Sequence, residues 1–327
     1  MKAIVVHEVG GQPQLVWEEV GEVPLRPDQF LVTVRATAVN RADLSQARGG
    51  YPPPAGESSI LGLEMAGIIS DFGAAAAGDW RLGDRVCALL PGGGYAEQAA
   101  VHPQLLLPLP ADWSFEQGAA IPEVWLTAFV NLCWEGQLQA GQTVLIHAGA
   151  SGVGTAAIQL AVHLGATVLT TVGTPVKAAY CQQLGAMAID YHSQDFAEEV
   201  LKVTAGRGVD LILDPVGASY LAKNVGLLKE SGRLIHIGLL GGRKAELDLA
   251  LVLGKSLHLI GSRLRPRPLA EKIRLTQEFR HLFWSLFAAG QLRPIIDSVF
   301  PLPQAQAAHD YVRRNENIGK VILSLAP

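Results

Sequence analysis

Residues 143–164 read TVLIHAGASGVGTAAIQLAVHL, one apolar run that passes through three glycines and a serine into another. The first run is short and β-branched, as a buried strand is. The second keeps Ala157, Leu160, Ala161 and Leu164 at i, i+3, i+4 and i+7, the spacing of one helix face. A strand that turns on small residues directly into an apolar helix belongs to an open parallel sheet covered on both faces. No Asp, Glu, Lys or Arg falls between Gly136 and Val176. Gln137, Gln139, Gln142, His147 and Gln159 interrupt that stretch, so no run reaches the ~18 apolar residues a membrane span requires.

The pattern continues downstream as ATVLTTV, a helix around KAAYCQQLG, MAIDY, a helix FAEEVLKVT, VDLILDPVG, RLIHIG and LHLIGS. With TVLIH these make six strands joined by crossover helices, the pattern of a doubly wound sheet. Upstream of about Pro122 the chain instead shows short strands cut by Gly and Pro: KAIVVH, FLVTVRATAV, MAGIIS and DRVCALL. Beyond Arg263 the sequence RPRP leads into a long helix and the strand KVILSL, which is expected to rejoin the first region. The expectation is an α/β protein: a mostly-β domain over 1–123, a Rossmann domain over 124–265, and a returning segment over 266–327.

Charged residues are 17% of the chain, below the usual ~25%, and the net charge is −4. That balance offers no general attraction to nucleic acid or to an acidic membrane. Cys87, Cys133 and Cys181 are odd in number and widely spaced, without a disulfide framework or zinc spacing. They suit a reducing compartment, so the expected location is cytoplasmic. The opening MKAIVVHEVGG reads as a first strand rather than a signal peptide.

At the glycine turn, unpaired N–H groups and the positive end of the helix dipole converge, which suits a pyrophosphate. Gly149, Ser151 and Gly154 fill the pattern G-x-G-x-x-G with serine at the middle position. The residue that selects between NAD and NADP lies about 20 positions on, where TTVGTPVK holds no acid but Gly173, Thr174 and Lys177, with Tyr191 ending the next strand. Donors and positive charge there predict NADPH. The competing reading leaves Lys177 on a solvated helix face.

The chain resembles the zinc-independent quinone oxidoreductase family of the medium-chain dehydrogenase/reductase superfamily. The likeness rests on AVNRADLSQARGGYPPP (38–54), LGLEMAG (61–67), GDRV (83–86), LPGGGYAEQ (90–98) and AAIPEVWLTAF (119–129). HAGASGVGTAAIQLA (147–161), LDPVG (213–217), GLLGG (238–242) and NIGKVIL (317–323) complete it. It is similar above all to the tumour-suppressor-induced branch. The resemblance implies a GroES-like mostly-β catalytic domain, a Rossmann domain, and a site in the cleft between them. It implies a homodimer joined through LHLIGS. It implies NADPH along Gly149, Ser151, Gly152, Val153 and Gly154, then Gly173, Lys177 and Tyr191, with the nicotinamide end near Thr127, Gly238 and Leu239, and Asn317 closing over the cofactor.

Zinc dehydrogenases of that superfamily carry Cys where this chain has Asn40 and His where it has Leu63, and a four-cysteine cluster absent here. Without those ligands no tetrahedral catalytic zinc is expected, and the metal expectation is none. Hydride transfer to an acceptor that stabilises its own charge remains, and a quinone fits. Asn40 and Tyr51 are candidate donors to its carbonyl oxygen, with Asp43 orienting them. On spacing alone Asn40 and Asp43 serve equally as turn and helix caps, and Tyr51 as a loop aromatic; the resemblance tips the balance. Glu64 reads as a remnant of the altered metal motif, Arg263, Arg265 and Arg267 as a solvated loop, and Cys133 and Cys181 as core. Two rival functions stand beside the quinone reductase: a reductase of conjugated enones or enoyl thioesters, whose carrier would need a basic groove not readable in the sequence, and an NADPH-occupied binding or redox-sensing protein.

Overall fold

The computed structural model describes residues 1–76 and 78–325. The chain divides into two compact units, one of residues 1–126 with 264–327 and one of residues 127–263.

The first unit opens with the hairpin β1 (Lys2–Val9) and β2 (Gln12–Glu19), then β3 (Phe30–Val39), the short helix α1 (Arg41–Ala47), β4 (Glu64–Phe72), β5 (Arg85–Leu89), β6 (Gln98–Val101) and β7 (Leu106–Pro108). Helices α2 (Phe115–Ala119) and α3 (Pro122–Phe129) follow, α3 running across the division between the units. Strand β3, FLVTVRATAV, alternates in its first half, burying Phe30, Val32 and Val34, and is wholly buried from Ala36 onward. It is the centre of its sheet, pairing antiparallel with β4 and β6.

The second unit holds β8 (Thr143–Ile146), α4 (Gly152–His163), β9 (Thr167–Val172), α5 (Pro175–Gln183), β10 (Met187–Asp190), α6 (Phe196–Val203), β11 (Val209–Asp214), α7 (Leu221–Leu227), β12 (Leu228–His236), α8 (Leu249–Gly254) and β13 (His258–Gly261). Its six strands lie in the order β10-β9-β8-β11-β12-β13, every pair parallel. The order reverses between β8 and β11, and ligands bind at the carboxyl ends of the strands at such a switch point. The strands are apolar because helices cover both faces: Val144, Leu145, Ile146, Ile212 and Leu234 are fully buried.

The chain then returns to the first unit with α9 (Leu269–Ala288), β14 (Ile296–Pro301), α10 (Ala305–Arg313) and β15 (Lys320–Ser324). Strand β15 pairs antiparallel with β3, giving the sheet order β14-β15-β3-β4-β5-β7, with β6 as the seventh strand, paired with β3 off this path. Among the described residues, no helix is long and apolar enough to cross a membrane.

Candidate active site

In the second unit, β8 delivers the chain to a turn at which Ala148 takes a left-handed φ of 55°. Helix α4 starts at Gly152, and Ser151 caps it: its Oγ accepts from Gly154 N at 3.0 Å. That bond uses a lone pair, so the Ser151 hydroxyl proton stays available to an anion, as do the N–H groups of Gly152 and Val153, which start the helix and have no intrahelical acceptor. The turn is closed by contact. A Cβ on Gly149 would stand 1.9 Å from Thr170 Oγ1, and one on Gly154 would stand 2.4 Å from the Ala148 carbonyl oxygen. Both glycines hold the turn against the sheet and the helix, while Gly152, Val153 and Ser151 line its half-open outer side. The donor set and the space fit a pyrophosphate.

A valine at Ser151 is expected to lose NADPH affinity by tenfold or more, through bulk at the phosphate approach, and about 1 kcal/mol of stability through the lost cap. Fluorescence titration and thermal unfolding check the two effects. Unchanged affinity would remove the turn from the cofactor site.

At the ends of β9 and β10, Thr174 caps α5, its Oγ1 accepting from Lys177 N at 3.2 Å. Lys177 is half-buried in the first turn of α5. The Tyr191 hydroxyl lies 2.5 Å from where a Gly173 Cβ would stand. Gly173, Thr174, Lys177 and Tyr191 thus gather at one edge, where a hydroxyl pair and an ammonium suit a phosphate. Gly238 packs on Pro215, whose carbonyl oxygen would lie 2.8 Å from its Cβ, and Leu239 is half exposed in the loop after β12. The Thr127 carbonyl accepts from Asn131 Nδ2 at 2.7 Å.

Beneath the turn lies a polar chain that the sequence reading missed. His147 is buried, its Nδ1 3.0 Å from Thr171 Oγ1 and its Nε2 2.8 Å from Asn224 Oδ1. Asn224 Nδ2 donates to Asp214 Oδ2 at 3.2 Å, and Asp214 Oδ1 accepts from Val216 N and Gly217 N at 2.6 and 3.1 Å. Burial lowers the His147 pKa, so the ring is neutral. Burial works to raise the Asp214 pKa, but the hydrogen bond with the His236 ring and the two backbone donors outweigh it and hold the carboxyl below its ordinary value. The chain links the glycine turn to the LDPVG turn, two loops at the switch point.

In the first unit the candidate residues meet a different cluster. Asn40 follows β3 as the N-cap of α1, Glu64 begins β4 and Lys320 begins β15, and all three are buried. Lys320 Nζ donates to Asn40 Oδ1 at 2.6 Å, Glu64 Oε1 at 2.8 Å and the Val39 carbonyl at 3.2 Å, which uses all three ammonium protons. Asn40 Nδ2 donates to Glu64 Oε1 at 2.8 Å and, at a long 3.4 Å, to the Ala38 carbonyl. Glu64 Oε2 accepts from Glu123 N at 2.8 Å. Glu64 is therefore the hub of a buried ion pair, more than a remnant.

Asp43 is fully buried beside this cluster, accepting from Gly62 N at 3.0 Å and Asn40 N at 2.8 Å. Tyr95 OH donates to its Oδ2 at 3.3 Å and lies 3.1 Å from His309 Nε2. Burial raises the Asp43 pKa to about 6, with Glu64 adding to the rise and the backbone donors and Lys320 opposing it. Burial likewise brings His309 down to about 3.

Tyr51 is half-buried, with the Arg265 guanidinium 5.2 Å from its ring centroid and Arg265 Nη1 donating to its carbonyl at 3.1 Å. Arg265 is 5% exposed, so the solvated loop expected here holds only for Arg263. Its neighbours explain the burial: Nε donates to the Pro91 carbonyl at 2.6 Å and the ring of Tyr51 takes its face. Asn317 Nδ2 donates to the Gly319 carbonyl at 2.8 Å within its own loop. Cys87 and Cys181 are buried, and Cys133 is half-buried.

Residues 26–111 match the alcohol dehydrogenase GroES-like domain family, and residues 152–279 match the zinc-binding dehydrogenase family. A 2-haloacrylate reductase of Burkholderia sp is 33% identical over 98% of both chains. The chain belongs to the zinc-independent quinone oxidoreductase family of the medium-chain dehydrogenase/reductase superfamily. It is thereby an oxidoreductase of that superfamily. Among solved structures it is similar to the Escherichia coli quinone oxidoreductase complexed with NADPH, with TM-score 0.89 and 29% identity over 99% of this chain and 100% of that one. It is also similar to the CurK enoyl reductase, with TM-score 0.84 and 27% identity over 99% of each chain. The family's zinc-binding name does not carry over to the donors here. Among the described residues no group of three or more His, Cys, Asp or Glu is placed to hold a metal ion.

Proposed function

We propose that the protein is an NADPH-dependent quinone reductase that works without a metal. The observation that carries this reading is the Asn40–Glu64–Lys320 cluster. The positions at which zinc dehydrogenases carry Cys and His hold Asn40 and Leu63. The carboxylate beside them is already paired with an ammonium at 2.8 Å. An amide oxygen and a carboxylate that share one lysine make a poor cation site, by charge and by ligand type.

When bound, NADPH supplies a hydride. The chain supplies position and charge. Gly152, Val153 and Ser151 take the pyrophosphate, with Gly149 and Gly154 shaping the turn, and Lys177, Thr174 and Tyr191 beside Gly173 take the 2′-phosphate. Thr127, Gly238, Leu239 and Asn317 are assigned to the nicotinamide end. For the acceptor, the Asn40 amide hydrogen now held by the Ala38 carbonyl at 3.4 Å is the one a quinone oxygen can compete for. The Tyr51 hydroxyl is the second donor, and Asp43 acts by fixing Asn40 through its backbone N–H. With no Lewis acid, the acceptor must spread the arriving charge itself, which a quinone does by conjugation.

The NADPH-complexed quinone oxidoreductase supports this reading. The haloacrylate and enoyl reductases support a second one, in which the acceptor is an activated carbon–carbon double bond and Tyr51 protonates the product. A panel of benzoquinones, enones and enoyl thioesters, followed by NADPH absorbance, separates them. The expected result is a kcat/KM for quinones at least ~10-fold above that for the alkenes; a reversed ratio transfers the assignment to the alkenes. Bound NADPH that no acceptor oxidises would mark a binding or sensing protein instead.

We also propose a homodimer through β13. This strand ends its sheet with one side unpaired among the described residues, and Leu249 and Leu253 on α8, just before it in the chain, are 70% and 83% exposed. Such an edge asks for a partner. Ile260→Lys is expected to give monomers in analytical ultracentrifugation; an unchanged dimer would locate the interface elsewhere.

A further inference from the structure

The first unit contains a cavity of about 190 Å³ that none of the roles above uses. Its wall carries Arg26, Arg265, Arg267 and Lys272 against two carboxylates, Asp28 and Glu57. The floor is apolar, including Leu90, Val101 and Leu105. The volume is about ten times what one water needs, so an anionic group fits with part of its hydration shell.

The charges are poorly compensated. Lys272 is half-buried at the start of α9, and among the described residues its ammonium reaches a single acceptor, the Arg265 carbonyl, at a long 3.5 Å. Burial lowers its pKa, Arg265 lowers it further, and Glu57 opposes both. Arg265 gives Nε to the Pro91 carbonyl and Nη1 to the Tyr51 carbonyl, but its buried Nη2 has no acceptor among the described residues. Arg26 lies 3.8 Å from Glu57 and donates Nη2 to the Gly56 carbonyl. Arg267 is paired with Glu271 at 3.3 Å. A half-buried ammonium with one weak partner, beside a guanidinium with an unmet donor, is costly unless an anion completes it.

We propose that this cavity is a binding site for a phosphate or carboxylate group, with Lys272 as its principal ligand and Arg26 and Arg265 supplying charge. Because Arg265 also holds the Tyr51 carbonyl and ring, an anion here is read by the Tyr51 loop. The group comes from one of two sources: free phosphate, or the anionic tail of an acceptor. The site stands without the reductase reading; only its assignment to an acceptor rests on that reading.

The test uses the full chain and inorganic phosphate, with binding followed by calorimetry. Phosphate can also enter the glycine turn, so three variants are compared. Lys272→Met, which keeps the side-chain volume, is expected to weaken phosphate binding about tenfold or more. Ser151→Val is expected to leave binding at the cavity in place. Glu57→Gln removes an opposing carboxylate and is expected to tighten binding, a gain that a misfolded variant cannot mimic. Affinity unaffected by both Lys272→Met and Glu57→Gln, or lost in Ser151→Val alone, would overturn the site. Kinetics then assign the source. If the ratio of KM for an anionic acceptor such as 2-chloroacrylate to KM for neutral benzoquinone rises tenfold in Lys272→Met, the anion is the acceptor's own. If the ratio stays fixed while phosphate binding falls, it is free phosphate. If nothing is turned over, the reductase reading fails and the phosphate titration still decides the cavity.

Discussion

Replacing Lys320 by methionine is expected to cost about 3–5 kcal/mol of stability, because it leaves the Glu64 carboxylate buried without its counter-charge. Glu64 is 0% exposed and Lys320 3%, so solvent cannot replace the lost partner. The same change frees Asn40 Oδ1 and lets the amide rotate, so kcat/KM for a quinone should fall together with stability. The second substitution Glu64→Gln, made in the Lys320→Met background, should recover most of the loss, since a neutral amide needs no ammonium. Chemical denaturation of the single and double variants measures this. A double variant less stable than Lys320→Met alone would mean that the carboxylate is held by its backbone partner rather than by the lysine.

The second large effect concerns Lys177. If its ammonium pairs with the 2′-phosphate, Lys177→Ala loses a charge-assisted contact worth about 1.5–3 kcal/mol. At about 1.4 kcal/mol per decade, NADPH affinity falls roughly 10- to 100-fold. NADH has no group there to lose, so its affinity should barely move. In the unmutated protein, raising salt should weaken NADPH binding more than NADH binding. Lys177 stands one turn before Cys181, whose thiol burial pushes up to about 12 while the lysine charge pulls it down. That contact is internal and does not depend on which cofactor is offered. Equal losses for both cofactors would make Lys177 structural and leave the phosphate to Thr174 and Tyr191.

The doubly wound sheet was legible because its signals are local. Each strand is a short apolar run and each helix repeats at 3.6 residues, so TVLIH, the glycine turn and α4 can be read in one stretch. Ser151 was legible as the middle position of the turn for the same reason, though its capping of α4 was not read there. The buried cluster was not. Glu64 and Lys320 lie 256 residues apart, and no periodicity joins them. Each did leave one sign, a single charge in an otherwise apolar stretch at the start of a strand: LGLEMAG and KVILSL. Two such charges of opposite sign can be read as a candidate pair before any fold is known. Arg265 misled because RPRP looks like a solvated turn, and its burial depends on Tyr51 and Pro91, both distant in sequence. The His147–Asn224–Asp214 chain likewise joins three segments; two of them, HAGASGVG and LDPVG, had drawn notice, but nothing local joins them or points to Asn224.

The measurement that bears most directly on a metal-free NADPH-dependent reductase combines zinc content and turnover in one sample. Elemental analysis of the purified protein is expected to give far less than one zinc per chain. The same sample should oxidise NADPH with benzoquinone at a rate unchanged by a strong chelator. One tightly bound zinc per chain, with activity lost on its removal, would contradict the account.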